Sequence, residues 1–160
     1  MEKEIEKLDI GPIHKANMVL VLFDEKPAAE IDVFSWGDSP DKVEKVIKDS
    51  GLFYKKIVSK SSKVLATFCI SKQKTLVDAL AIAIDTGNDA DYGRLMGYPE
   101  TAIEAYVNKT STTKYDTDRL FNFAFSQQNH IEEMKTVTRW KEAIKRHAPE
   151  LYKESYVVGM

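Results

Sequence analysis

Met18 to Phe23 is an unbroken apolar run bounded by Asp24-Glu25-Lys26-Pro27, a pattern that predicts a central strand buried on both faces and a turn at the proline. Ala29, Ile31 and Val33 then alternate with Glu30, Asp32 and Phe34, the period of a strand nearer the sheet edge. The two read as a hairpin. Ser39-Pro40 sets an N-cap and first-turn proline for a helix whose apolar face is Val43, Val46 and Ile47 and whose stop is Gly51. Phe53 to Ser59 and Val64 to Ile70 predict a second strand pair joined by residues 60–63. Ser71 is the expected cap of a second helix, in which Leu76 to Ile84 is apolar almost all round apart from Asp78, as in a helix enclosed by its neighbours. The first half thus reads ββα twice, an internal duplication of topology without residue identity.

The second half reads as helices. Pro99 opens one that runs to Val107, and Asp116 caps a short aromatic one holding Leu120, Phe121, Phe123 and Phe125. Asn129 with Glu132 makes a capping-box start for the longest, which runs to His147 with the stripe Met134, Val137, Trp140 and Ile144. The expected fold is α+β, a four-stranded, largely antiparallel sheet in ββαββα order with a C-terminal set of three or four helices. One domain spans residues 1–160, with a sheet-rich half over about 15–87, a helical half over about 88–155, and disorder allowed over 1–10.

Composition supports one folded unit, since 160 residues with 43% hydrophobic and 30% charged positions are ample for a core. The Glu- and Lys-rich start lacks the apolar segment of an export signal, and no apolar stretch approaches the roughly 20 residues of a membrane span. Cys69, the single cysteine, lies inside an apolar run and reads as a buried, inert thiol in a reducing, cytoplasmic compartment. The net charge of −2 hides segregation into blocks of −6 (1–41), +7 (42–74), −5 (75–104) and +2 (105–160).

Several strings carry candidate chemistry. Asp85-Thr86-Gly87 after an apolar run resembles the active-site segment of retroviral-type aspartic proteases, in which two copies of a dimer share a proton. Here the run looks helical, Asn88 stands where that family has a small residue, and Gly87 reads as a helix C-cap. Asp85, Asn88, Asp89 and Asp91 offer oxygens for a hard cation, although their spacing fits no EF-hand loop and suits turns and caps. Glu104, His130 and Glu133 form a possible acidic and histidine pocket between C-terminal helices. In the plainer alternative His130 caps or packs while Glu133 reaches outward. The block holding Lys42, Lys45, Lys48, Lys55, Lys56, Lys60 and Lys63 would suit a polyanion, but it contains no arginine and the overall pI is near 6. Neither a metal site nor a cofactor is assigned.

Tyr92-Gly93-Arg94-Leu95-Met96-Gly97-Tyr98-Pro99-Glu100 is the most distinctive string. Its glycines permit close backbone approach, Arg94 can hold an anion and Tyr98 supplies a hydroxyl, while Gly and Pro also suit a tight helix corner. Gly93 to Glu100, followed by Ala102, Glu104 and Tyr106, resembles a segment of an uncharacterised prokaryotic protein family. Some of its members carry cysteines just after the proline, where this chain has Thr101 and Ala102. The resemblance spans about residues 93–106 of 160 and implies no activity. The expected ligand-binding residues are therefore Arg94, Tyr98, Glu104, His130 and Glu133. The expected function is a small binding or interaction protein with a protein or small-molecule partner, compatible with a homodimer. An enzyme built on the acidic and histidine pocket is the alternative.

Overall fold

The computed structural model describes residues 1–58, 61–110, 112–113, 120–121 and 123–156. A short helix α1 (Glu2–Glu6) precedes α2 (Pro12–Leu22), so the apolar run expected to be a strand is helical. Gly11 and Pro12 open α2, proline sitting where its missing N–H has no intrahelical partner to lose. The helix is buried continuously from Lys15 to Val21, and a short segment enclosed on all sides has the same unbroken apolar signature as a buried strand. Residues 1–10, where disorder was allowed, are anchored: Ile5, Leu8 and Ile10 are buried, and the Glu6 carboxylate accepts from Leu151 N at 2.9 Å.

The main sheet has three antiparallel strands, β1 (Ala28–Phe34), β2 (Phe53–Val58) and β3 (Val64–Ser71), in the order β1-β3-β2. With Met18 to Leu22 helical, the described residues give it no fourth strand and no repeated ββα unit. Between β1 and β2, α3 (Pro40–Asp49) starts as expected, the Ser39 hydroxyl accepting from Lys42 N at 3.2 Å. Ser71 ends β3 rather than capping α4 (Lys74–Thr86), since Gln73 is the N-cap residue. Gly87 closes α4 with φ 68°, the left-handed conformation of a C-terminal stop.

Past α4 come α5 (Asp89–Leu95) and α6 (Glu100–Val107), a two-stranded ladder of β4 (Thr112–Thr113) and β5 (Phe125–Ser126), α7 (His130–His147) and α8 (Pro149–Tyr156). Asp116 lies outside the described residues; of the aromatic helix expected from it, the described residues 120–121 and 123–124 are not helical and Phe125 opens β5. Phe121, Phe123 and Phe125 are all buried. The Asn129 side chain makes no capping bond; instead the Ser126 hydroxyl accepts from Asn129 N at 3.0 Å. Trp140, fully buried in α7, donates from Nε1 to Glu25 O at 3.2 Å, which ties the helical half to the loop ahead of β1.

Candidate functional site

Strand β1 lies at the sheet edge, and α2 closes its open side. Asn17 Nδ2 donates to Glu30 O at 3.4 Å, and His14 Nδ1 accepts from Asp32 N at 3.2 Å. Side chains thereby take up backbone groups that an unprotected edge would offer to another strand. By strand parity Glu30 and Asp32 share the face of Ala28, which packs with Cys69 and with Val77, Leu80 and Ala81 of α4. Ile31 and Val33 face the main core. Two carboxylates are thus half-buried on the face toward α4, and Thr67 Oγ1 fixes Asp32 by donating to Oδ1 at 2.7 Å.

A cavity of about 260 Å³ opens against them. His14 and Asn17 of α2, Lys26 of the loop before β1, and Glu30 and Asp32 supply one side. Tyr92 and Tyr98 from the α5–α6 corner and the ring of Trp140 supply the other. The corner comes close because of its glycines. At Gly93 a Cβ would lie 2.8 Å from Ile103 Cγ1, and at Gly97, with φ 78°, 3.2 Å from Pro27 Cδ and 3.6 Å from both Lys26 Cγ and Trp140 Cζ2. Tyr92 and Tyr98 also line a neighbouring cavity of about 290 Å³ with Ile103, Tyr106 and Phe123.

Lys26 is the unusual member. Its side chain is only 5% exposed, and its Nζ stands 4.4 Å from the ring centre of Trp140 and 5.4 Å from that of Tyr98. No carboxylate of a described residue lies within 4 Å of it. Burial pulls its pKa down to about 7, while the two ring faces favour the cation. Burial, and then the Asp32 charge, raises Glu30 above the ordinary carboxylate value, with the Tyr92 hydroxyl opposing. Burial depresses His14, against the pull of Asp32, and pushes Tyr98 up to about 12. Ionisable groups displaced by desolvation and gathered in one cavity make it the candidate site.

Of the residues expected from sequence, only Tyr98 lies here. Arg94 is exposed and grips the Glu100 carboxylate through Nε (3.2 Å) and Nη2 (2.7 Å), with Asp91 at 3.6 Å. Glu104 faces a separate depression of about 400 Å³ alongside Thr101 and residues 127–129. Glu133, far from reaching outward, is 1% exposed and accepts from Thr101 Oγ1 (2.6 Å), Ser126 N (2.8 Å) and Ser126 Oγ (2.7 Å). It fastens α6 and β5 to α7. His130 Nδ1 sits 2.9 Å from Gln127 O. Glu104 and Glu133 therefore share Thr101 as a neighbour, while Arg94 is turned onto Glu100.

The other strings have structural explanations. Asp85-Thr86-Gly87 is the last turn of α4 and its cap, not the strand-borne loop of the proteases. Asn88 caps α5, accepting from Asp91 N at 3.1 Å and donating to Asp91 Oδ2 at 2.8 Å. Among the described residues no set of three or more His, Cys, Asp or Glu side chains is grouped to hold a metal ion. Lys42, Lys45, Lys48 and Lys56 are paired with Asp38, Asp49 and Glu44 at 2.6–3.6 Å; Lys42 reaches the acidic 1–41 block, and the other three pair with acids of their own block. Cys69 is buried in β3, its thiol pushed up to about 12 chiefly by burial. No described helix is long and apolar enough to cross a membrane.

The residues that sequence reasoning missed had weak signals. Glu30 and Asp32 looked like the solvent face of an edge strand, Lys26 like turn punctuation before Pro27, and His14 and Asn17 lay outside any predicted element. No protein family, curated protein or solved structure matches the chain.

Proposed function

We propose that the protein binds a small polar organic molecule in the cavity between α2, β1, the α5–α6 corner and α7, and acts on it by proton transfer. The observation that carries this reading is Lys26, a buried amine with no carboxylate partner, in the same cavity as the Glu30 and Asp32 carboxylates. A protein selected only for stability would gain from an apolar side chain there. Glu30, biased toward its protonated form, is the general acid; the Lys26 amine is the base; Asp32, fixed by Thr67, receives a donor group of the ligand. Trp140 and Tyr98 supply flat walls. The volume, about 260 Å³, lies just under the roughly 300–1,000 Å³ usual for small-molecule pockets, which points to a compact ligand.

The test is a ligand-observed NMR screen of small amines, hydroxy acids, keto acids and sugars against the wild-type chain, Glu30→Gln and Lys26→Met, with Glu104→Gln as control. Ligands bound by wild type and by Glu104→Gln but lost in the two cavity variants support the reading. Ligands held equally by all, or lost only in Glu104→Gln, move the site to the Thr101–Glu104 depression and overturn it.

A second reading, an interaction protein without chemistry, draws on Trp36. It is 64% exposed and stacks on Phe34 at 5.2 Å, and Phe34 in turn contacts His14. An exposed tryptophan held rigid by a neighbouring ring suits a protein contact.

A further inference from the structure

We propose that Lys26 is a nucleophile that forms an imine with an aldehyde or ketone ligand bound in the cavity. The inference rests on the function proposed above and names its ligand class. Lys15 supplies the internal contrast, because it is buried to the same degree, 6% exposed against 5%. Its ammonium, however, donates to Glu6 O at 2.9 Å and faces Glu154 at 3.7 Å, the arrangement that stabilises a buried cation. Lys26 has no such partner among the described residues and presents its amine to a cavity. Its stem runs beside the Gly97 backbone, the Cγ lying 3.6 Å from where a Cβ of residue 97 would stand.

An amine in that setting, without a partner among the described residues and lining a cavity, is open to a carbonyl carbon as well as to a proton. Burial favours the neutral amine before reaction. The iminium formed afterwards carries its positive charge at the same nitrogen, over the Trp140 and Tyr98 faces, which stabilise a cation. In the reaction the amine lone pair forms the C–N bond and the carbonyl π pair moves to oxygen. That oxygen takes a proton from Glu30 while the nitrogen gives one up. The proton lost by nitrogen returns to Glu30, which passes it to the hydroxyl so that water leaves; the sum is carbonyl, amine and protonated Glu30 giving iminium, Glu30 carboxylate and water, with no oxidant or reductant consumed.

The experiment uses the whole chain at pH 7 with a limiting amount of glyoxylate, in parallel with formaldehyde, each with cyanoborohydride to trap the imine as a secondary amine, followed by peptide mapping. The neutral fraction at pH 7 of an amine titrating near 7 exceeds that of an ordinary lysine by about 1,000-fold. Part of that is lost to lower basicity and restricted access, so modification of Lys26 at least about ten times the mean of the other lysines is the expected result, abolished when 8 M urea unfolds the chain. If neither probe marks Lys26 preferentially, the amine is not nucleophilic and the proposal falls. Marking by formaldehyde but not by glyoxylate overturns the carbonyl-ligand part. Either failure, alongside NMR ligands that still need Glu30, would remove the imine and leave the proton-transfer reading standing.

Discussion

Lys26→Met isolates the energetic consequence of an unpaired buried amine. The lysine titrates at about 7 in the fold against an ordinary value of 10.5, and at about 1.4 kcal/mol per pH unit this bounds the penalty for folding the protonated residue at about 5 kcal/mol. The faces of Trp140 and Tyr98 return about 1–2 kcal/mol of that through their attraction for the cation. A net penalty of about 3 kcal/mol remains. Because the folded value lies below the unfolded one, the unfolded chain binds more protons between the folded value and 10.5, and wild-type stability rises with pH across that window. The penalty is complete below the folded value, which the ring faces lift above 7, and gone above 10.5. Urea unfolding of wild type and Lys26→Met at pH 6, 8 and 9.5 reads it directly, since every other titration cancels in the difference. The variant is expected to be more stable by about 3 kcal/mol at pH 6, with the gap closing as pH rises. A gap independent of pH would refute the reasoning, and a variant destabilised at every pH would make Lys26 a structural residue.

Two further substitutions test the supports of the site. Glu133→Ala leaves the Ser126 N–H, the Ser126 hydroxyl and the Thr101 hydroxyl without their acceptor. It should lower stability by about 2–4 kcal/mol in urea unfolding, without loss of cavity ligands. Gly97→Ala forces a side chain into a left-handed backbone conformation against Pro27, at about 1–2 kcal/mol. It should also shift the Trp140 fluorescence and weaken cavity ligands, because the added methyl approaches the Lys26 stem.

Much of the fold was legible wherever the local signal had one meaning. Ser39-Pro40 could only open a helix, Gly87 only end one, and the alternation in β1 and the apolar run in β3 are where sequence placed strands. The stripe on α7 buries Val137, Trp140 and Ile144 as its spacing requires. Failure came where one pattern serves two structures. Six apolar residues fit a strand crossing the core as well as a helix threaded through it, and phenylalanines 121, 123 and 125 are buried without the helix their segment suggested. Arg94 and Glu133 were singled out for their chemical type, which sequence shows. Their partners, Glu100 for one and Thr101 with Ser126 for the other, are set by packing, which it does not.

The misread helix and the overlooked cavity have one cause. If Met18 to Phe23 were a strand paired with β1, the side of β1 now closed by His14 and Asn17 would carry backbone ladder bonds, and Glu30 and Asp32 would be the outward residues of a hairpin, hydrated and ordinary. As a helix, α2 replaces those ladder bonds with two polar side chains, and its C-terminal loop turns Lys26 inward beneath Trp140. The α5–α6 corner then covers the two carboxylates from the other side. Each group is unremarkable in its own segment: an amphipathic strand's acids, a turn lysine, a corner tyrosine. What makes them a candidate site is desolvation, which arises only when α2, β1 and the corner meet. The distinctive string at residues 92–100 borders the candidate cavity through other residues than its arginine: its glycines are what let Tyr92 and Tyr98 approach Glu30 and Lys26, while Arg94 is exposed and pairs with Glu100.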